Sequence, residues 1–242
     1  MTFDDIAPDY AEFRTGYSST LYDALGEFGF KGAIKILDVG CGPAIASEPL
    51  AARGLAITGV DPSETMLEHA MSRIPSGTFI KGKAEYLPFK DKTFAGAISA
   101  QAMHWFDQDK ALSEMIRVVV PNGRIAVWWK NLTSGEPMRT VEAEAAQTVG
   151  VEPLKDPMSG PFRAFYAAPL KERWVRVLPH MIMSDARRWV GYERSRRRLR
   201  ESYGDKAEAY YGEVERLIRE RAGERPFQVR YTQFLYVGRV GE

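Results

Sequence analysis

The sequence predicts an α/β fold: a doubly wound, mostly parallel sheet of seven strands, with a helical cap inserted between the last two strands. Strand-like and helix-like hydrophobic patterns alternate from residue 34 to about residue 130. The strand segments are near-continuous apolar runs, which is typical of parallel strands buried on both faces. Right-handed crossovers then place helices on both sides of the sheet. A chain of 242 residues is long enough for one large core, so we expect a single domain over 1–242.

The individual elements follow from changes in the hydrophobic period. Strand signals, which are aliphatic and β-branched runs ending in turn residues, occur at 34–39, 56–61, 78–80, 94–99, 123–129, 172–183 and 227–240. Helix signals, which are apolar residues at helical spacing behind capping residues, occur at 19–28, 45–52, 63–73, 109–118 and 137–150. Prolines and glycines predict a loop over 151–170. The expected organisation is an N-terminal helical segment at 1–30, a core at about 31–135, and C-terminal strands with the helical cap at about 170–240.

Charge and cysteine content exclude several classes of protein. The chain has 33 Lys and Arg against 32 Asp and Glu, and its net charge of +1 creates no field that would draw it to nucleic acid or to a membrane. One cysteine forms no internal disulfide, and the N-terminus has no secretory signal pattern, so a cytoplasmic location is expected. The longest apolar runs are far shorter than the roughly 20 residues of a membrane span.

A glycine loop after the first strand predicts a ligand site. The loop contains Gly40, Cys41 and Gly42, and in this strand-to-helix context backbone N–H groups face a ligand. A dinucleotide fingerprint is disfavoured because Ile45 occupies the position of its last small residue. Asp38 instead suits a ligand with a cationic amino group, and Asp61 at the end of the second strand suits ribose hydroxyls. S-adenosylmethionine (SAM) is such a ligand.

From residue 34 to about residue 130 the motifs resemble those of class I SAM-dependent methyltransferases with a methyltransferase type 11, or UbiE-like, domain. The segment 36–42 matches the family's first motif, 59–63 with Met66 matches the second, and 83–89 is similar to its adenine-edge turn. Ala44 replaces the third glycine of the family's pattern. The resemblance implies a Rossmann-like fold, SAM as cofactor, S-adenosylhomocysteine (SAH) as product and no metal. It implies cofactor contacts from Asp38, Gly40, Cys41, Gly42, Asp61, Pro62, Met66, Ala84 and Glu85.

A narrower resemblance, to the trans-aconitate methyltransferase-like branch, rests on two segments. Residues 101–107 are similar to that branch's Gln-Ala-x-His-Trp-Phe segment, which lines the cofactor and acceptor pockets there. Residues 10–18 are similar to its N-terminal Tyr-x-x-x-Arg-Pro-x-Tyr-Pro stretch, with Thr15 and Ser18 in place of the prolines. For Arg14, a surface ion pair is the alternative. The resemblance implies cofactor contacts from Tyr10, Arg14 and Gln101, and acceptor contacts from Tyr17, His104 and Trp105.

His104 is the candidate catalytic residue. Methyl transfer is an in-line displacement, in which a protein aligns the reactants and removes a proton from the acceptor where one must leave. The acceptor is expected beyond the carboxyl ends of the strands, where the fourth strand runs into the segment that contains His104. Histidine titrates near neutrality in either role, so a structural histidine bonded under the cap is the equal alternative.

The stretch 187–200 is strongly basic, with seven arginines against the single acid Glu193. One interpretation is a solvated helix face paired with nearby acids. Another is that Arg194 and Arg197 hold a carboxylate or phosphate of the acceptor. RNA contact is disfavoured because the rest of the chain carries −5, since the whole chain carries +1 and this stretch +6.

We therefore predict a SAM-dependent methyltransferase, of the EC 2.1.1 class, that methylates oxygen or carbon of a small anionic or carboxyl-bearing molecule. The fourth strand lacks the Asn- or Asp-Pro-Pro-aromatic string of enzymes that methylate planar nitrogens, which disfavours N-methylation of nucleic acid. The alternatives are an RNA or tRNA methyltransferase that uses the basic stretch, and a SAM-binding module without catalysis. A monomer or homodimer without a membrane span is expected.

Overall fold

The computed structural model describes residues 7–154 and 162–242. Seven strands form one sheet, and they are β1 Lys35–Val39, β2 Ala56–Asp61, β3 Thr78–Lys81, β4 Phe94–Ala100, β5 Val119–Leu132, β6 Leu170–Ser184 and β7 Phe227–Val240. Their order is β3-β2-β1-β4-β5-β7-β6, and the pairs from β3 to β5 are parallel. The predicted α/β class with seven strands is confirmed.

Ten α-helices lie among the described residues. They are α1 Ala7–Phe13, α2 Ser19–Glu27, α3 Glu48–Ala51, α4 Glu64–Arg73, α5 Gln108–Val118, α6 Pro137–Val149, α7 Arg163–Ala167, α8 Ala186–Arg194, α9 Arg197–Tyr203 and α10 Ala207–Ala222. The last three fall between β6 and β7, as predicted for the cap. None of these helices is both long enough and apolar enough to cross a bilayer.

Helix α7 contradicts the predicted loop over 151–170, and residues 155–161 of that prediction lie outside the described residues. The prolines and glycines that suggested a loop cluster mostly before this helix, and Phe165 within it is completely buried in the core. Helix α1 lies inside the N-terminal helical segment predicted at 1–30, although its own residues gave no separate helix signal. Both helices are short, and a short helix depends on tertiary packing more than on its own propensity.

Side-chain caps fix the starts of several helices. Ser18, Ser63 and Asp107 each accept a hydrogen bond from a backbone N–H in the first turn of α2, α4 and α5. Helix α3 has no such cap, and it begins three residues later than predicted. Its flanking residue Ser47 makes no capping bond, and the preceding Ala44 has a φ of +59° that interrupts helical geometry.

The described residues divide into two compact units. The core unit comprises the described parts of 16–130, 157–178 and 233–242, and the helical unit comprises those of 1–15, 131–156 and 179–232. The prediction of one domain over 1–242 stays a prediction.

The core unit buries both faces of its parallel strands. On β1, Ile36 belongs to one apolar cluster and Leu37 to another, because successive strand side chains point to opposite faces. Ala97 and Ile98 on β4 divide between the two clusters in the same way. This two-sided burial explains why the strands read as continuous apolar runs.

Strand β5 begins four residues before the strand predicted at 123–129, and residues 121–123 form a bulge inside it. Between the pairs Phe94–Val119 and Gly96–Arg124 the register advances two residues on β4 and five on β5. Asn122 in the bulge has a φ of +60°. A Cβ on Gly123 would lie 2.7 Å from the Val120 carbonyl oxygen, so glycine is required there.

The helical unit has its own apolar cluster, to which α6, α8, α9 and α10 all contribute. A buried ion pair lies within it: the Arg196 guanidinium is 2.8 Å from the completely buried Glu193 and 3.2 Å from Glu142. The Tyr210 hydroxyl donates to Glu193 at 3.0 Å. Removing one member would leave a buried charge uncompensated, so this group favours a single packing of the helices.

Candidate cofactor-binding site

The loop between β1 and α3 brings backbone close to the segment that follows β4. Gly40 has a φ of +70° and Gly42 a φ of +50°, in the left-handed region that favours glycine. A Cβ on Gly40 would lie 2.8 Å from the Ala102 Cβ and 2.7 Å from the Phe106 ring. Glycine is therefore needed at position 40 for space as well as for backbone geometry. Ala44 adopts the left-handed conformation despite its side chain.

Asp61 connects the end of β2 to this loop. One carboxylate oxygen accepts the Gly42 N–H at 2.9 Å, and the other accepts the Ser63 N–H at 3.0 Å. The backbone N–H groups of Gly40 and Cys41 donate to the Val60 carbonyl oxygen at 2.8 and 3.1 Å. The loop is thus held against the end of β2 by three backbone donors.

Asp38 is completely buried at the end of β1. Its Oδ2 accepts a hydrogen bond from the Ser47 hydroxyl, and its Oδ1 has no hydrogen-bond partner among the described residues. Burial raises the pKa of Asp38 to about 7, and the negative charge of Asp61 adds to the rise while the Ser47 bond opposes it. Because its side chain is out of reach of solvent, Asp38 would act on a ligand only through its electrostatic field and through Ser47.

These features fit SAM. The orphaned Oδ1 of Asp38 leaves a negative field that an ammonium or sulfonium cation would compensate. Asp61 places a carboxylate beside a loop that admits no side chain at position 40. A cation and a pair of vicinal hydroxyls are the groups that this donor and acceptor set would bind.

The other predicted cofactor residues of the core unit follow the ends of β2 and β3. Met66 is buried in the first turn of α4, where its N–H is capped by Ser63, and the exposed Pro62 precedes that helix. Ala84 is buried in the turn after β3. The neighbouring Glu85 accepts the Asp107 N–H at 3.0 Å, which ties that turn to the segment after β4.

Gln101 joins the ends of β4 and β5. Its side-chain nitrogen donates to the Lys130 carbonyl at 3.2 Å, and its side-chain oxygen accepts the Lys130 N–H at 3.0 Å. Its φ of +54° turns the chain out of β4. Both polar atoms of the Gln101 side chain, which was predicted to contact the cofactor, therefore bond to the backbone of Lys130.

His104 and Trp105 lie in a short 3-10 helix, Met103–Trp105, directly after this turn. Their ring centroids are 4.9 Å apart, with His104 half-buried and Trp105 exposed. The catalytic role of His104 stays a prediction.

Lys130 is a buried cation at the end of β5 that the sequence analysis did not single out. Its Nζ donates to the Gly16 carbonyl at 2.7 Å and lies 5.2 Å from the centroid of the Tyr17 ring. Tyr17, a predicted acceptor contact, packs edge-on against Trp128. The sequence signal that could have identified Lys130 was a lysine at the end of an apolar strand, because a buried amine needs polar partners.

The remaining predicted residues belong to the helical unit. Arg14 lies 4.7 Å from the Tyr10 ring centroid and donates to the Ser195 carbonyl. Arg194 forms two 2.7 Å bonds with Glu208, and Arg197 bonds Glu201 at 2.7 Å. Both arginines are thus paired with carboxylates, and their predicted contact with the acceptor stays a prediction.

A family model described as a methyltransferase domain matches residues 37–127. These residues form a methyltransferase domain. The match runs from within β1 to within β5 and includes the glycine loop, Asp61 and the segment that contains His104. The resemblance drawn from the motifs is thereby confirmed, and the narrower one to the trans-aconitate branch stays a prediction.

Two relatives named as methyltransferases are similar to part of this chain. A demethylmenaquinone methyltransferase from Renibacterium salmoninarum is 35% identical over 151 residues, which cover 59% of this chain and 62% of the relative. A malonyl-[acyl-carrier protein] O-methyltransferase from Erwinia pyrifoliae is 33% identical over 142 residues, which cover 58% of this chain and 50% of the relative. The chain thus spans less than two thirds of the length of these curated relatives.

The similarity to a solved structure covers more of this chain than the similarity to these relatives does. A protein provisionally named a type II methyltransferase, from Anaeromyxobacter dehalogenans, matches with a TM-score of 0.70 and 25% identity over 95% of this chain and 99% of that one. This confirms the predicted Rossmann-like methyltransferase fold, including its C-terminal half.

Proposed function

We propose that the chain is a SAM-dependent methyltransferase that acts on oxygen or carbon of a small anionic or carboxyl-bearing molecule. The observation that carries the proposal is the geometry around the glycine loop: Asp61 bonded to Gly42, with the buried Asp38 on the preceding strand. The domain match and the methyltransferase names of the relatives support it. A cytoplasmic location and a monomer or homodimer remain part of the proposal.

The proposed cofactor site lies at the carboxyl ends of β1 to β3. Asp61 would accept hydrogen bonds from the ribose hydroxyls, Met66 would pack on adenine, and Ala84 with Glu85 would meet the adenine edge. Gly40, Cys41 and Gly42 would bring backbone against the methionine moiety, and Asp38 would favour its cationic groups. When bound, SAM supplies an electrophilic methyl group on a sulfonium sulfur. The protein's contribution is to align that sulfur, the methyl group and the acceptor.

The role of His104 depends on the acceptor. A hydroxyl or carbon acid must lose a proton, and a half-buried histidine beyond the end of β4 would accept it. A carboxylate is already ionised near neutral pH and needs no base, so His104 would then only position it. Comparing one acceptor of each kind therefore separates the two roles.

The RNA alternative is disfavoured by ion pairing in the basic stretch. Six of its seven arginines pair with carboxylates of described residues, and the pairs are Arg187–Glu12, Arg188–Asp185, Arg194–Glu208, Arg196–Glu193, Arg197–Glu201 and Arg200–Asp9. A phosphate backbone would have to displace these acids. Filter binding to RNA at two salt concentrations tests this, because phosphate contacts make affinity fall steeply with salt. We expect weak binding without a steep salt dependence.

The experiment that tests enzymatic function is SAH release. Purified protein is incubated with SAM and fractions of a metabolite extract, and SAH is measured over time against an Asp61→Ala control. Release with one fraction, lost in the control, supports the enzyme. Tight SAH binding without release from any fraction supports the non-catalytic binding module, and no binding of SAM or SAH refutes both.

A further inference from the structure

Gln101 lies at the point where β4 and β5 separate. The ladder between these strands ends at the pair Ala100–Trp128, and the Gln101 N–H donates to the Trp128 carbonyl at 2.9 Å. Beyond that bond β5 continues to Leu132, whereas the chain after β4 turns away at Gln101. In open α/β sheets, ligands bind outside the carboxyl ends of the strands. Gln101 therefore occupies a fork between two segments that border such a site.

The Gln101 side chain continues the pairing that its backbone abandons. Its amide donates to the Lys130 carbonyl at 3.2 Å and accepts the Lys130 N–H at 3.0 Å, so one side chain satisfies both backbone groups of one residue. Glutamine suits this role because its planar amide carries a donor and an acceptor side by side. A glutamate in its charged form lacks the donor, and methionine has neither a donor nor a strong acceptor.

The Gln101 backbone adopts the left-handed conformation, with a φ of +54°. For a residue other than glycine this conformation is unfavourable, and it persists where the surrounding contacts compensate for it. The two hydrogen bonds to Lys130 supply that compensation. The turn and the side chain therefore depend on each other, because the main chain leaves β5 at Gln101 while the amide remains bonded to β5.

The turn directs the segment 102–106 onto the glycine loop. Ala102 is buried, and a Cβ on Gly40 would lie 2.8 Å from the Ala102 Cβ, so the segment packs directly on that loop. The Trp105 N–H donates to the Ala102 carbonyl at 2.9 Å and closes the short helix that contains His104. The position of the His104 ring therefore depends on how the chain leaves β4.

Lys130 links this turn to a second segment of the core unit. Its Nζ donates to the Gly16 carbonyl at 2.7 Å and lies 5.2 Å from the centroid of the Tyr17 ring. Because the Lys130 backbone is bonded to Gln101, the segment with Tyr17 and the segment with His104 are joined through two residues. Tyr17 and His104 are both predicted acceptor contacts, and all of these residues belong to the core unit.

We infer that Gln101 is a positioning residue for the acceptor side of the site. Its amide, bonded to Lys130, sets the placement of His104 and of Tyr17. The inference rests on the proposed function, and it assigns Gln101 a role different from the cofactor contact that the narrower family resemblance implies. The two roles differ in what they predict for SAH affinity and for the position of the His104 ring.

The first measurement requires neither an acceptor nor turnover. The chain has three histidines, so NMR follows their ring protons individually, and His104→Ala assigns the resonances of His104. Gln101→Met keeps the length of the side chain and removes both bonds to Lys130. In this variant we expect the His104 resonances to shift, those of the other two histidines to stay in place, and the Lys130 amide to exchange faster with solvent. Unmoved His104 resonances in folded Gln101→Met overturn the inference.

Two further variants separate the side chain from the backbone. Gln101→Gly favours the left-handed turn but lacks the amide, so it should show the same shift of the His104 resonances. Wild-type resonances in Gln101→Gly would assign the turn to the backbone alone and overturn the inference. Gln147→Met, at an exposed position of α6, is the matched control and should leave the His104 resonances in place.

The second measurement separates turnover from cofactor binding. With the acceptor fraction identified by SAH release, Gln101→Met should lower kcat by on the order of tenfold to a hundredfold, because a misplacement of about 1 Å is enough for such a loss. SAH affinity should stay within about twofold. Unchanged kcat overturns the inference, and so does a loss of SAH affinity as large as that of Asp61→Ala, which would make Gln101 a cofactor contact. If the wild type releases no SAH, the proposed function fails instead, and the NMR comparison still decides the role of Gln101.

Discussion

The carboxylate of Asp61 accepts a hydrogen bond from the backbone N–H of Gly42 at 2.9 Å. This bond joins the end of β2 to the loop after β1, so one side chain both shapes the loop and lines the proposed site. Its other oxygen accepts the Ser63 N–H at the start of α4. Substituting Asp61 therefore changes the geometry of the loop as well as removing a ligand contact.

Asp61→Ala should weaken SAH binding by roughly tenfold to a hundredfold, because charge-assisted hydrogen bonds to ribose would be lost, each worth about 1.5–3 kcal/mol. Calorimetry of the folded variant measures this. Glu64→Gln is the matched control, since Glu64 begins α4 three positions after Asp61 and pairs with Lys81 on the surface. Equal SAH affinity in wild type and Asp61→Ala would contradict the ribose assignment.

Asp38 should make the ligand-free protein less stable as the pH rises from about 4 to about 7. Its folded-state pKa of about 7 lies above the unfolded value near 3.9, so the folded state binds more protons over that interval. The free energy of unfolding should fall by on the order of 4 kcal/mol from this group and level off above pH 7. Urea unfolding at several pH values measures it.

Asp38→Asn is the variant that isolates this effect. Its stability should decline less over the same pH interval, because asparagine does not ionise. In the wild type, SAH affinity should rise through pH 7 as Asp38 acquires its charge, and the variant should lack this rise. Parallel stability profiles for the two proteins would show that Asp38 does not titrate there.

His104→Ala should lower turnover more than SAH affinity when the acceptor is a hydroxyl or carbon acid. The loss should be about 100-fold or more in kcat, as is typical for removal of a general base. His69→Ala, on α4, is the matched control. Equal turnover in wild type and His104→Ala would assign His104 a structural role.

Two glycine substitutions should have opposite effects on stability. A Cβ on Gly59, in the middle of β2, would lie 2.6 Å from the Phe79 ring and 2.8 Å from the Cys41 sulfur, so Gly59→Ala should destabilise by about 1–3 kcal/mol. A Cβ on Gly212 in α10 would meet no atom of another segment within 4 Å, and Gly212→Ala should stabilise by about 0.5–1 kcal/mol. Thermal unfolding measures both, and a stabilised Gly59→Ala would disprove the close packing of β2.

Local signals in the sequence were sufficient to predict most of the strands and several of the helices. Strands β2 and β7 have the predicted bounds, 56–61 and 227–240, because a strand's apolar pattern and the turn residues at its ends are adjacent in the chain. Ser63 caps α4 as predicted. The glycine loop was equally readable, since its backbone requirement is met by the residues of the loop itself.

Long-range partners were not predictable in the same way. Arg200 pairs with Asp9, which is 191 positions away, and Arg196 pairs with Glu142, which is 54 positions away. No local pattern specifies such a pair, because it depends on how separate helices pack. The same holds for Gln101 and Lys130, whose mutual hydrogen bonds follow from the pairing of β4 with β5.

The sequence by itself determined the α/β class, most strand positions and the identity of the loop that marks the methyltransferase domain, because each depends on residues within a few positions of one another. Only the tertiary structure decided that Asp38 is buried, that the arginines of 187–200 are mostly paired, and that the Gln101 side chain bonds to the backbone of Lys130. Those properties depend on burial and on distances between segments remote in the chain, and both arise only when the elements pack.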